Sequence, residues 1–570
     1  MLPFGRIEFE RGALLLELLL VTLVLLATFY CPQLGSNWFR RIEQKLGTLA
    51  RRRKTAVLVV GLLALAARAA VLPVLPIPKP FVHDEFGHLF VADTFLHGRL
   101  TNAVHPMAIH FETFYILQGP TYCSIFPVAQ GIVLATGKIL GGHFFVGVWL
   151  SIGIMCAAMC WMLQGWMPPG WALFGGILAV LHFGFFNYWS NSYLGGAAAA
   201  TGGALLLGAL PRVQRHRRVR DALILGLGLA ILANSRPYEG FILSLPVALA
   251  LLVWVAKQRG PALLKAVTRF VAPLTLLLAV TAGAMMYYFW RTTGNPLRMP
   301  YQVNEDRYTT ARYFVFQSPK SEPAYDDPVI RDHYVNYQAR AYRFVRQPQW
   351  WLIWSLVRII LVAMFYFGLM LTMPLVMLPR VLRDRRIRIL LMAGAVSIAG
   401  LLGEVFYSPH YVAPMTCVFL AIAVQAMRHL RVYRREGQPT GLFLVRAIPI
   451  LCGLSVLITL GVVMRHGRVP FLWADDRVFR GPLYRPRILA ELEHRDGKQL
   501  VIIRYKPGHP PWDEWVYNAA DIDAAKVVWA RDQGTAKNRE LLDYFKDRHV
   551  WLVEPDAKPP TLLPYPADAQ

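Results

Sequence analysis

Long apolar runs alternate with short polar links along most of the chain. The runs lie near 12–31, 55–77, 143–165, 168–186, 195–210, 221–234, 238–256, 270–290, 349–378, 389–406, 411–428 and 442–464, with a shorter, glycine-rich run at 128–142. A hydrocarbon core of ~30 Å takes about 20 apolar residues as a helix, so this pattern predicts a helical protein that crosses a membrane many times. Arg and Lys gather in certain links: Arg40, Arg41, Lys45 and Arg51 to Lys54, then Arg212 to Arg220, Lys257 to Arg269, Arg380 to Arg388 and Arg428 to Arg435. Basic links belong inside, which puts 32–54 in the cytoplasm and the N-terminus outside. If every run crossed, 211–220 would fall outside. One run therefore stays on one side, and 128–142, short and ended by Gly141-Gly142, is the expected one, lying along or dipping into the membrane. The result is an all-α polytopic membrane protein with about 12 transmembrane helices.

Beyond 464 the pattern changes. QLVIIRY (499–505), KVVWARD (526–532) and HVWLVE (549–554) read as strands and NRELLDYF (538–545) as a helix, which predicts a small external α/β domain. Three parts follow: 1–54, a transmembrane helix and cytoplasmic loop; 55–464, a transmembrane domain with external loops 78–142 and 291–348; and 465–570, the external C-terminal domain. No internal repeat divides the chain.

Composition adds little but removes alternatives. With 60 Lys and Arg against 35 Asp and Glu the net charge is +25, yet the excess sits in the inner links, and no nucleic-acid-binding motif is present. Of six cysteines, all but Cys123 lie in or beside apolar runs, and they form neither a disulfide framework nor a zinc pattern. The first apolar run is too long and lacks the cleavage site of a removable signal peptide. Richness in Arg, Ala, Leu and Gly points to a bacterial inner membrane with the working face toward the periplasm, and an endoplasmic-reticulum membrane would obey the same topology logic.

The polar motifs fall on one side of this map. FVHDEFGHLFVADTFLHGRL (81–100) follows the second run, and NYWSNSY (187–193), NSRPYEG (234–240), NEDRY (304–308) and SPHY (408–411) join it outside. Carboxylates at a helix start suit the helix dipole, so one of Asp84 and Glu85 is accounted for by capping alone. Capping does not account for His83 beside them or His88 one turn on. Asp93 points to the opposite face. A carboxylate at a membrane surface accepts a proton from an attacking hydroxyl, while cations and hydrogen-bond donors hold a departing phosphate. The donors available are Arg68, a charge within an apolar run that either snorkels or binds phosphate, Arg236, which either pairs with Glu239 or binds phosphate, and Arg307. Asn191, Tyr193, Tyr238, Tyr308, His410 and Tyr411 complete the substrate-binding candidates. His410 with Glu404, His83 or His88 would offer ligands to a divalent metal ion, whose identity and presence the sequence leaves open.

A spanning helix, then Asp-Glu opening a large external loop, then many spans and an external C-terminal domain: over about 55–430 this resembles the C-type glycosyltransferases. The branch it looks most like is the polyprenyl-phosphate-sugar and protein-mannosyltransferase-like enzymes, including the lipid A aminoarabinose transferases. The resemblance implies an inverting transfer of a sugar from a polyprenyl-phosphate donor, among membrane lipids, to a hydroxyl-bearing acceptor. It places the base on Asp84, with Glu85 beside it. Where that family often carries Lys- or His-Pro-Pro-Leu, this chain reads SIFPVAQG (124–131). Two other classes compete: a transporter or lipid flippase, which usually shows repeats and broken helices at mid-depth, and a non-catalytic assembly subunit that docks through 465–570.

Overall fold

A computed structural model of the 570-residue chain describes residues 4–467, 469 and 483–566, the side chains of 4–11 excepted. Among the described residues nine helices are long and apolar enough to cross a membrane: Gly12–Tyr30, Arg53–Val71, Phe144–Trp166, Gly196–His216, Pro237–Ala256, Gly260–Thr293, Pro348–Leu382, Pro409–Arg431 and Thr440–His466. Three further runs expected to cross form helices of 15 residues each, Pro169–Phe183, Val219–Ala233 and Arg388–Leu402. At ~1.5 Å per residue each is about 22 Å long, short of the hydrocarbon thickness when taken alone. The run at 128–142 is the helix Val128–Gly141, packed between His83–Leu96 and Phe144–Trp166.

Packing sorts these helices. Gly196–His216 and Pro409–Arg431 are almost wholly enclosed, whereas Gly12–Tyr30 and Gly260–Thr293 present most of their apolar side chains outward, as lipid-facing helices must. The enclosed pair lies close because Gly203 faces the backbone of Pro414, where a Cβ would sit 1.8 Å from the carbonyl oxygen. Small residues let helices approach where the hydrophobic effect no longer drives them together. Inside Pro348–Thr372 the helix breaks at Gly368, with φ 56° and ψ −170°, a conformation open only to glycine. Nε2 of His182 hydrogen-bonds the Phe365 carbonyl at 2.7 Å, satisfying a backbone group beside the break that lipid could not.

The stretch between the second and third long helices forms the helix His83–Leu96 and a two-stranded ribbon, β1 (Ile116–Gln118) against β2 (Tyr122–Ser124). The 291–348 segment adds short helices, Pro300–Tyr308 among them, and its backbone at Tyr313 and Val315 hydrogen-bonds Val405 and Gly403.

The C-terminal part is a four-stranded sheet, β3 (Lys498–Ile503), β4 (Val527–Arg531), β5 (Arg548–Val553) and β6 (Leu562–Pro564), in the order β4-β3-β5-β6. The first three are parallel, and β6 runs antiparallel on β5. All three strands and the helix read from the sequence are present, the helix as Thr535–Tyr544. The sheet shares a core with the 83–124 segment: Phe86, Phe90, Phe111, Ile116 and Tyr122 pack with Leu500, Ile502 and Tyr517.

Candidate functional site

The Pro-rich approach at 78–80 ends at Val82, whose backbone is extended, and the helix starts at His83. This puts Asp84 and Glu85 together in the first turn, and their surroundings separate them. Glu85 is fully buried. Its Oε2 accepts the amides of Phe81 (2.8 Å) and Val82 (3.2 Å), and its Oε1 accepts the amide of Tyr193 (2.9 Å). It therefore caps its own helix from the third position and fastens it to the 187–193 loop. Burial pushes its carboxyl up to about 7 against the pull of these amides. Asp84 is half-buried. Its charge reaches Tyr115, Tyr301, Tyr517 and the Arg236 guanidinium.

Arg236 is the cation of this group. It precedes the helix Pro237–Ala256, lies 3.6 Å from Glu239 and stacks over the Tyr411 ring at 4.3 Å. Burial disfavours its charge, but Glu239, then Tyr411, Tyr301 and Asp84, more than compensate, so it stays protonated. His88 sits one turn below Asp84 against Phe126, ring centroids 4.6 Å apart. Burial, and after it the Arg236 charge, lower His88 to about 3, which leaves a neutral imidazole. Among the described residues nothing hydrogen-bonds its Nδ1. Phe126 continues to Tyr301 (5.8 Å) and Tyr301 to Tyr313 (6.1 Å). Burial holds Tyr115 and Tyr301 well above the usual phenol range, with the Asp84 charge adding to it, so both keep their protons as donors.

His83 points to the C-terminal domain. Its Nδ1 and the Tyr517 hydroxyl are 2.7 Å apart, and Phe86 stacks on the Tyr517 ring at 4.1 Å. Asp93 faces the same way, accepting the Ala520 amide at 2.7 Å. Arg531, at the carboxyl end of β4, donates to the Glu112 carbonyl (2.6 Å), pairs with Asp327 (3.2 Å) and bonds Glu514.

The remaining candidates divide. Tyr411, Glu239 and Arg236 belong with Asp84 and His88. Tyr238 donates to the Gly400 carbonyl at 3.1 Å, and Tyr193 to that of Pro78 at 3.0 Å. Asn191 donates to the carbonyls of Phe185 and Asn187, holding the 187–193 loop in shape. His410 bonds the Tyr188 hydroxyl at 3.0 Å. Arg68 neither snorkels nor reaches the outer surface: it is fully buried, donates to the Ser190 (3.1 Å) and Pro76 (3.4 Å) carbonyls and lies over Phe145. Arg307 and Tyr308 both turn to Glu112, at 3.4 and 2.6 Å. Among the described residues no three His, Cys, Asp or Glu side chains converge as a metal ion requires, and His410, Glu404, His83 and His88 form no such set. The sequence reading missed Tyr115, Tyr301, Tyr313 and Tyr517. Tyr301 stands three residues before the NEDRY motif; nothing in the local pattern marks Tyr517.

No family model matches the chain, and no curated protein does. Among solved structures, the apo oligosaccharyltransferase of Archaeoglobus fulgidus is similar over 79% of this chain and 62% of its own, at 11% identity and a TM-score of 0.39. The archaeal oligosaccharyltransferase AglB of the same organism, in complex with an inhibitory peptide and a dolichol-phosphate, is similar over 88% and 69%, at 12% identity and a TM-score of 0.40. The chain spans less than two thirds of the length of the first of these. A likeness this remote does not bear on function.

Proposed function

We propose that the protein is an inverting glycosyltransferase that moves a sugar from a polyprenyl-phosphate donor to a hydroxyl acceptor on the external face of the membrane, in the periplasm of a bacterial cell. The observation that carries this reading is the division of labour in one helical turn. Glu85 is consumed by three amides, while the charge of Asp84 bears on the half-buried Arg236 and on tyrosines that keep their protons. The acceptor oxygen attacks the anomeric carbon from the side opposite the phosphate. Its proton passes to the Asp84 carboxylate as the new bond forms. The bond from the anomeric carbon to the phosphate oxygen breaks, and the electron pair leaves with the lipid phosphate. Arg236, with neutral His88 and the Tyr301 hydroxyl as further donors, meets that charge.

The test is a transfer assay on purified protein with a panel of polyprenyl-phosphate sugars. Asp84→Asn keeps the size and polarity of Asp but accepts no proton. Its turnover is expected to fall by roughly 10²–10⁴-fold with an unchanged unfolding temperature. Turnover near that of the unaltered protein would show that Asp84 is not the base.

A further inference from the structure

The helices Phe144–Trp166 and Gly196–His216 begin beside the candidate site and end on the opposite face of the molecule, about 30 Å away at ~1.5 Å per residue. Where they end, together with the start of Arg388–Leu402, there is a cavity of about 290 Å³. It is lined by Trp166, Pro211, Gln214, Arg215, Arg386 and Ile389. Pro211 is buried, Trp166 and Ile389 are half-buried, and Arg215 and Arg386 are exposed, so an apolar floor lies beneath a cationic mouth.

Basic residues on an inner face need no ligand, since positive charge there sets orientation. This pair differs from its neighbours in two respects. First, three cations beside the cavity are already committed, although among the described residues Arg385, Arg388 and Arg218 share the pair's lack of a carboxylate partner and lie outside the cavity lining. Arg212 donates to the Trp161 carbonyl at 2.7 Å and lies over the Trp161 ring at 3.8 Å, Arg428 donates to Gln425 at 2.8 Å, and His429 lies 3.3 Å from Asp384. Among the described residues neither Arg215 nor Arg386 has a carboxylate within ion-pair distance. Second, the two come from segments about 170 residues apart and meet over one cavity whose floor holds an indole, anchored by its Nε1 bond to the Leu207 carbonyl at 3.0 Å. An indole marks the depth of the headgroup boundary.

We infer that this cavity binds a phosphate group on the face opposite the candidate site, with Arg215 and Arg386 as the phosphate's partners. The shared chemistry fits an anionic lipid headgroup or free phosphate. Guanidinium forks match phosphate oxygens, and basic pockets between membrane helices take anionic headgroups. The floor of Trp166, Pro211 and Ile389 favours the lipid, whose first acyl carbons it would cover.

The test uses the full chain purified in mild detergent and exchanged into mixtures of phosphatidylglycerol and phosphatidylcholine, with bound lipid read by native mass spectrometry. The unaltered protein is expected to retain phosphatidylglycerol over phosphatidylcholine. Arg215→Gln with Arg386→Gln should weaken that retention roughly 25-fold, about fivefold for each guanidinium near the surface. Lys257→Gln with Arg259→Gln, which removes two basic residues outside the cavity, should change it little. Equal retention in both double variants, or equal loss in both, would overturn the inference. A second arm titrates inorganic phosphate and follows thermal unfolding: stabilisation by phosphate, lost in the cavity variant and without lipid retention, would assign the site to the free anion. The readout is binding, so its outcome is independent of whether Asp84 is a base.

Discussion

Asp84 and Glu85 are adjacent in the chain and differ in what surrounds them. Their presence at the start of a helix was legible, because a helix N-terminus after a Pro-rich approach is a strong local signal. Which of them is structural was not, because the amide of Tyr193 that claims Glu85 comes from more than 100 residues away. The buried carboxyl makes a pH prediction. Glu85 is raised from 4.5 to about 7, so the folded protein holds a proton that the unfolded chain has released between these values. Its contribution to stability is complete below about 4.5 and is lost as pH rises through 7. Unfolding temperature should decline over that window, and Glu85→Gln should flatten the decline. Glu85→Ala leaves amides without their acceptor, at a cost of about 1–3 kcal/mol for each that is cut off from water, and should unfold earlier at every pH. For Arg236, replacement by Ala should weaken donor use by about 1.5–3 kcal/mol, the range for hydrogen bonds to a charged group, and Lys should restore part of it. Donor saturation curves for Arg236→Ala that match the unaltered protein would remove Arg236 from the site. Arg68 and Arg307 looked equivalent to Arg236 in sequence. The fold spends the first on two carbonyls and the second on Glu112.

At the scale of elements, the long apolar runs located every helix of membrane-crossing length, and alternation located all three parallel strands, since each buries a face that its own residues define. Neither marked the helices Ser36–Arg51, read as a loop, and Tyr484–His494, nor the docking of β4 on the 108–112 segment, which depends on surfaces brought together only by the whole chain. Arg531 is the centre of that docking, buried among Glu112, Asp327 and Glu514. Removing one partner of a buried ion network strands the others, typically at 3–5 kcal/mol. Arg531→Ala is therefore expected to loosen the C-terminal domain. Limited proteolysis should degrade the 483–566 domain faster than in the unaltered protein, with the membrane helices intact. Unchanged cleavage would mean that the shared core of Phe86, Phe90 and Tyr517 holds the domain without the ion network.

For the whole molecule, charge asymmetry assigns the sides as an expectation, and the long apolar runs predict about 12 crossings where nine helices among the described residues have the length to cross. The twelve expected crossings correspond to nine long helices and three of 15 residues, whose depth depends on packing rather than composition. The side assignment makes a direct prediction. In intact cells, on a cysteine-free background, a thiol reagent that does not cross membranes should label Ser321→Cys and spare His216→Cys. The reverse pattern would invert the map and place Asp84 in the cytoplasm.

The C-terminal sheet that covers His83 and Phe86 has a consequence for how the protein is made. Residues 483–566 leave the ribosome about 400 residues after His83. At ~5–20 residues per second that is a wait of roughly 20–80 s. Throughout it, the first helices are already threaded into the bilayer while Phe86, Phe90 and Tyr122 lack the partners that bury them. Such a nascent chain carries an apolar surface that a chaperone or a protease would recognise. Docking of the sheet is then the event that covers this surface and protects the chain.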